Sequence, residues 1–274
     1  MRRAILALVL GLGFVGATAI AQENKATPLQ SLLTAYEARG WEAVGRINIG
    51  RGGMCTGALI SPRVVLTAAH CLYDQATKRQ VSSAKITFLA GWRNGSATAV
   101  RRVRRAIAHP DYEYTGPGGE LRVANDVAVL ELESEIRLSS VEPFETAPRP
   151  RKGASVGVVS YAHDRSNTPS IQEVCHVLAR QRGTLVLSCD VDFGSSGAPI
   201  FSEVEGKPYI VSVVSAKAMV QGRRVSLGTN LQQPLEDLME LLASNPAASG
   251  SSGAKVVTIN RNGSSSGGAK FLKP

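Results

Sequence analysis

Beyond residue 21 the sequence has no continuous apolar run long enough for a bilayer, so no transmembrane segment is expected once the leader is removed. No two of its four cysteines have the close spacing of a zinc-finger ligand set, so no metal is expected, and nothing calls for a cofactor. Aromatic residues are sparse, at 5%, and are not interleaved with the basic ones, which argues against a nucleic-acid surface. Residues 244–274 contain no acid, and no internal repeat is recognisable. Of the net charge of +9, Arg2 and Arg3 account for two and Lys255, Arg261, Lys270 and Lys273 for four, so the main body is only mildly basic. Its one dense cluster, Arg101, Arg102, Arg104 and Arg105, reads as a solvated strand edge.

What is present begins with a leader. Met1-Arg2-Arg3 precedes the apolar stretch AILALVLGLGFVGATAIA, which ends in the small-residue pattern Ala19-Ile20-Ala21. That order reads as a secretory signal over residues 1–21, cut before Gln22, and places the mature chain outside the cell or in a periplasm. An even number of cysteines fits an oxidising compartment. The sequence allows three pairings, and spacing and context favour Cys55–Cys71 and Cys175–Cys189.

Residues 22–42 are polar, with a short helical patch in LQSLLTAYEARGW, and read as an N-terminal arm or a propeptide. From Val44 the texture changes to short apolar or alternating runs such as VGRINIG, RVVLTAA, DVAVLELE, ASVGVVSYA, TLVLSCD and PYIVSVVS. Val, Ile and Thr recur within them and turn residues separate them, which predicts an all-β sandwich or barrel. Leu231 to Ala243 predicts a helix entered through Pro234, with Leu235, Leu238, Leu241 and Leu242 on one face. Residues 244–274 are a Gly/Ser-rich basic tail.

Two local patterns carry chemistry. In CTGALISPRVVLTAAHC, a β-like run delivers His70 to its end, where a Cys55–Cys71 bond would clamp it. The pentapeptide GSSGA occurs twice, at Gly194 and at Gly250. The first copy is bracketed by β-like runs and closed by Pro199, whereas the second lies among small polar residues and reads as linker.

CTGALIS with VVLTAAHC resembles the trypsin-like serine peptidases, especially their secreted bacterial branch near the glutamyl endopeptidases. DVAVLELE and DFGSSGAPIF are similar to that family's aspartate strand and nucleophile loop. The resemblance covers about residues 43–243. It implies two six-stranded antiparallel β-barrels with a C-terminal helix, and peptide-bond hydrolysis on protein or peptide substrates by a monomer. Ser196 would be the nucleophile, His70 its base and Asp126 the group orienting the base. The backbone N–H groups of Gly194 and Ser196 would form the oxyanion hole. Asp111 and Asp164 fit turns better than a triad. An esterase fits less well, because its nucleophile turn precedes a helix and Pro199-Ile200-Phe201 leads into a strand.

The chain departs from the family at two places. Ser195 stands where trypsin-like zymogens carry an aspartate that pairs with a freed N-terminus, and no IVGG-like start lies upstream of Gly52. At the specificity pocket, Asp190 falls where a carboxylate would bind Arg or Lys, or else is a solvated strand-end acid. Val214 falls at a usual glycine, where it would narrow the pocket, and the glutamyl branch's histidine is missing from Ile210–Ser215. Basic or small P1 side chains are therefore expected over Glu. The alternative to an enzyme is a catalytically silent binding protein of the same fold, although such relatives usually lose a triad member.

Overall fold

The β-branched runs pair into two closed barrels. The computed structural model describes residues 26–115 and 120–244. The leader at 1–21, the tail beyond Ser244 and the second GSSGA lie outside the described residues.

The first barrel comprises β2 (Val44–Ile49), β3 (Gly53–Ser61), β4 (Val64–Thr67), β5 (Ile86–Ala90), β6 (Ala99–Ala108) and β7 (Ala128–Leu132), closed in the order β2-β3-β4-β7-β6-β5. The second comprises β8 (Ser155–Ser160), β9 (Ser170–Gln181), β10 (Thr184–Leu187), β11 (Pro199–Val204), β12 (Lys207–Val220) and β13 (Arg223–Asn230). Its order is β9-β10-β13-β12-β11-β8, and the β8–β9 pairing closes it. All strand pairs are antiparallel, so short turns can join neighbours. Closure removes the free edges that an open sheet would present.

Each barrel is filled by its inward side chains. Ile47, Leu59, Val65, Phe88 and Leu130 fill the first, and Val158, Leu185, Leu187, Ile200 and Val214 the second. Trp41, Phe144 and Phe201 pack between them with ring centroids 4.7–5.9 Å apart, joining the arm, the inter-barrel connection and β11.

Two expectations need correction. The predicted helical patch near residues 29–41 is a short strand, β1 (Gln30–Ser31), followed by a turn. In that turn Thr34 N–H donates to Glu37 Oε2 and Glu37 N–H to Thr34 Oγ1. This is a helix-start pattern, but Gly40 follows too soon for a helix to develop. β1 instead pairs with β9, and Leu32 is buried, so the arm is part of the second barrel's wall.

The arginine cluster is no strand edge either. β6 lies between β5 and β7, and Arg105 and Arg104 pair with Glu131, Arg102 with Glu133, while Arg101 donates to the Glu135 carbonyl. Opposite charges on and just beyond two neighbouring strands thus neutralise one another.

The C-terminal helix, α2 (Gln232–Ser244), forms as expected, with Leu235 and Leu238 buried. Pro234 is tolerated because first-turn N–H groups have no helical acceptor. A short helix, α1 (Glu120–Ala124), was not foreseen and leads into Asp126.

Candidate active site

β4 ends at Thr67 and turns into a 3-10 helix over Ala69–Leu72, which carries His70. The Cys55–Cys71 disulfide fastens that turn to β3, and Cys175–Cys189 joins β9 to the segment before the nucleophile loop. The sulfurs of Cys55 and Cys71 lie within 4.8 Å of a His70 nitrogen but are bonded to each other, so they are not metal ligands.

Asp126 is 3% exposed and reaches His70 twice. Its Oδ1 accepts the His70 backbone N–H at 2.8 Å, and its Oδ2 lies 2.7 Å from Nδ1. The other ring nitrogen, Nε2, lies 4.0 Å from Cys71 Sγ, on a side chain 25% exposed. Ser215 Oγ donates to the same Oδ2. Burial, and then the charge of Asp126, push the nearby Tyr112 phenol well above its usual range.

Ser215 was missed by the sequence reading, which stopped at Val214. β12 carries a bulge between Val214 and Ala216, so Ser215 has no partner on β13 and turns toward Asp126. Val214 is 2% exposed, packs in the second barrel's core and donates its N–H to the Ala198 carbonyl. Asp190 is exposed, and its N–H donates to the buried Gln172 Oε1.

The nucleophile loop is tied to both barrels. Thr56 N–H donates to the Ser196 carbonyl, Thr56 Oγ1 donates to the Gly194 carbonyl, and Gly197 N–H donates to the Val214 carbonyl. Gly197 has φ +76°, and a Cβ there would lie 2.1 Å from Thr67 Oγ1 and 2.8 Å from Ala68 N, on the strand end that carries His70. Gly194 has φ +97°. These contacts bring Ser196, half-buried, to the same end of the cleft as His70, although its hydroxyl has no hydrogen-bond partner among the described residues.

The loop's amides divide sharply. Phe193, Ser195, Gly197 and Ala198 all donate their N–H groups within the protein. Those of Gly194 and Ser196 have no acceptor among the described residues. Two adjacent vacant donors in an otherwise satisfied loop are suited to bind an oxyanion.

An ion pair joins β12 to the start of the nucleophile loop. Lys217 Nζ lies 2.6 Å from Asp192 Oδ1 and 4.0 Å from the centroid of the exposed Phe193 ring. Lys217, followed by the Phe193 N–H, holds the Asp192 carboxyl below the usual carboxylate range. β12 and the nucleophile loop are therefore joined at Gly197–Val214 and again at Asp192–Lys217.

Comparison with known proteins agrees with this architecture. The chain is 33% identical over 160 residues to kallikrein 1-related peptidase-like b4 from Mus musculus, covering 55% of this chain and 56% of that one. It is 31% identical over 124 residues to complement C1r-A subcomponent from Mus musculus (42% and 16%) and 28% over 127 residues to venom serine protease 34 from Apis mellifera (42% and 29%). The matches thus span less than two thirds of these relatives' own lengths. A solved structure of a Glu endopeptidase in complex with MPD superposes with a TM-score of 0.65 at 18% identity, covering 78% of this chain and 97% of that one, a likeness of fold. The Trypsin family model matches residues 34–234, and the chain belongs to that family.

Proposed function

We propose that the protein is a secreted serine endopeptidase acting through Ser196, His70 and Asp126. Ser196 Oγ attacks the scissile carbonyl carbon while its proton passes to His70 Nε2. The carbonyl oxygen becomes an oxyanion held by the N–H groups of Gly194 and Ser196. As the C–N bond breaks, His70 returns the proton to the leaving amine, and water then hydrolyses the acyl-enzyme by the same route. Asp126 keeps Nδ1 protonated and stabilises the imidazolium, and a Ser196–His70 hydrogen bond forms when substrate binds.

The pair of vacant amides flanking Ser195 carries this reading, because a silent binding protein has no use for them. Residues 1–21 would direct export, consistent with two disulfides. For P1, the Lys217–Asp192 bridge beside the nucleophile loop supports small side chains, whereas Asp190, exposed ahead of the loop, offers charge to a basic one.

The test is labelling of the folded, processed protein with a fluorophosphonate, together with cleavage of a mixed peptide library. Labelling at Ser196, lost in Ser196→Ala and unchanged in Ser252→Ala, is the expected result. Folded protein that stays unlabelled would overturn the enzyme reading in favour of the binding protein.

A further inference from the structure

The loop that presents the two vacant amides turns on Ser195, which is fully buried. Its hydroxyl is completely engaged. It donates to the Tyr161 carbonyl at 3.2 Å and accepts from the Asp192 N–H and from Arg165 Nη2, both at 3.3 Å. The same Nη2 lies 3.3 Å from Ser160 Oγ, itself 3.3 Å from Ser195 Oγ. Arg165 is only 13% exposed at its side chain and uses Nη1 on the exposed Asp164.

The segment bearing Arg165 is itself fixed. His163 N–H donates to the Phe193 carbonyl, and the Ser166 carbonyl accepts from Arg46 Nη1 and Trp92 Nε1 of the first barrel. Ala162 lies so close beneath Gly194 that a Cβ there would be 3.0 Å from its Cα. The site that a freed N-terminal amine would need beside Ser195 is already filled by Ser160, Tyr161 and Arg165, and a serine offers no carboxylate for such an amine. The arm, meanwhile, runs along β9, with Thr27 bonded to Val174 and Gln30 opposite Ile171.

We propose that Arg165 is a positioning residue that holds the Ser195 turn, and through it the amides of Gly194 and Ser196, so that the site is assembled without cleavage at an N-terminus. A guanidinium suits this place because its charge persists at every relevant pH and its planar fork reaches two hydroxyls from one side chain. The inference rests on the peptidase reading above.

The test compares the wild type, Arg165→Met, Arg165→Lys and Ser195→Ala in steady-state peptide hydrolysis and in the rate of fluorophosphonate labelling. It also compares chains beginning at Gln22 with chains carrying an uncleavable tag before Gln22. For Arg165→Met, kcat and the labelling rate should fall about 10- to 100-fold with KM within about twofold, since a misaimed amide loses part of what a deleted one would. Arg165→Lys should recover part of kcat, and the tagged chain should match the untagged one within about twofold. Unchanged kcat in Arg165→Met, or a tagged chain that is silent until trimmed, would overturn the proposal. Should Arg165→Met fail to fold, Ser195→Ala, which removes one oxygen, must lower kcat for the proposal to stand. An unlabelled wild type would instead overturn the peptidase reading.

Discussion

Ser215 donates its hydroxyl to the Asp126 oxygen that also faces His70 Nδ1. A carboxylate that is 3% exposed needs its acceptor positions filled, and Ser215 together with the two His70 donors fills them. The aspartate is thereby fixed in orientation before any substrate arrives.

Asp126→Asn is expected to cut kcat about 10³- to 10⁴-fold, because an amide can stabilise neither the required imidazole tautomer nor the imidazolium. Ser215→Ala leaves the carboxylate charge in place and should cost only about 10- to 100-fold, roughly one lost hydrogen bond to a charged group. Steady-state hydrolysis of one peptide by both variants checks the order. A Ser215→Ala loss equal to that of Asp126→Asn would contradict it.

Gly197→Ala is expected to destabilise the fold by about 2–4 kcal/mol. The new Cβ would meet backbone atoms of Thr56 and Ala68 as well as Thr67 Oγ1, at a positive φ that alanine resists. Urea denaturation measures the stability, and labelling at Ser196 should slow in the fraction that remains folded.

The two disulfides should behave differently in function and alike in stability. Their separations of 16 and 14 residues predict a loss of about 3 kcal/mol for removing either one. Only the double variant Cys55→Ala/Cys71→Ala frees the turn that carries His70, so at a temperature where both variants are folded it alone should lose kcat. Equal kcat in both would show that β4 positions His70 without the clamp.

Lys217→Ala should release the tie between β12 and the nucleophile loop and broaden cleavage toward larger P1 residues. Lys217 bridges β12 to Asp192 and covers the Phe193 ring. Both charges are well exposed, so the pair itself adds little stability. Library profiling of the two forms would reveal the shift, and an identical profile would remove Lys217 from the account of specificity.

Much of this protein was legible before folding. The strand runs, α2, the TAAHC turn and the bracketed GSSGAP are local patterns, each written within a dozen or so consecutive residues. His70, Asp126 and Ser196 were assigned through the resemblance of VVLTAAHC, DVAVLELE and DFGSSGAPIF to the trypsin-like peptidases. The aspiring helix in the arm failed for a reason the local pattern also contained, since Gly40 follows the Thr34–Glu37 cap within one turn, but its recruitment as a strand depended on β9.

What the tertiary structure alone decided concerns partners distant in sequence. Ser215 meets Asp126 across 89 positions only because a bulge in β12 turns it, and Arg165 meets Ser195 across 30 because Arg46 and Trp92 hold its segment from the other barrel. Val214 went to the core and its neighbour Ser215 to the site. A strand's alternation fixes which residues share a face, whereas a one-residue bulge resets that face, and no spacing in the sequence announces it.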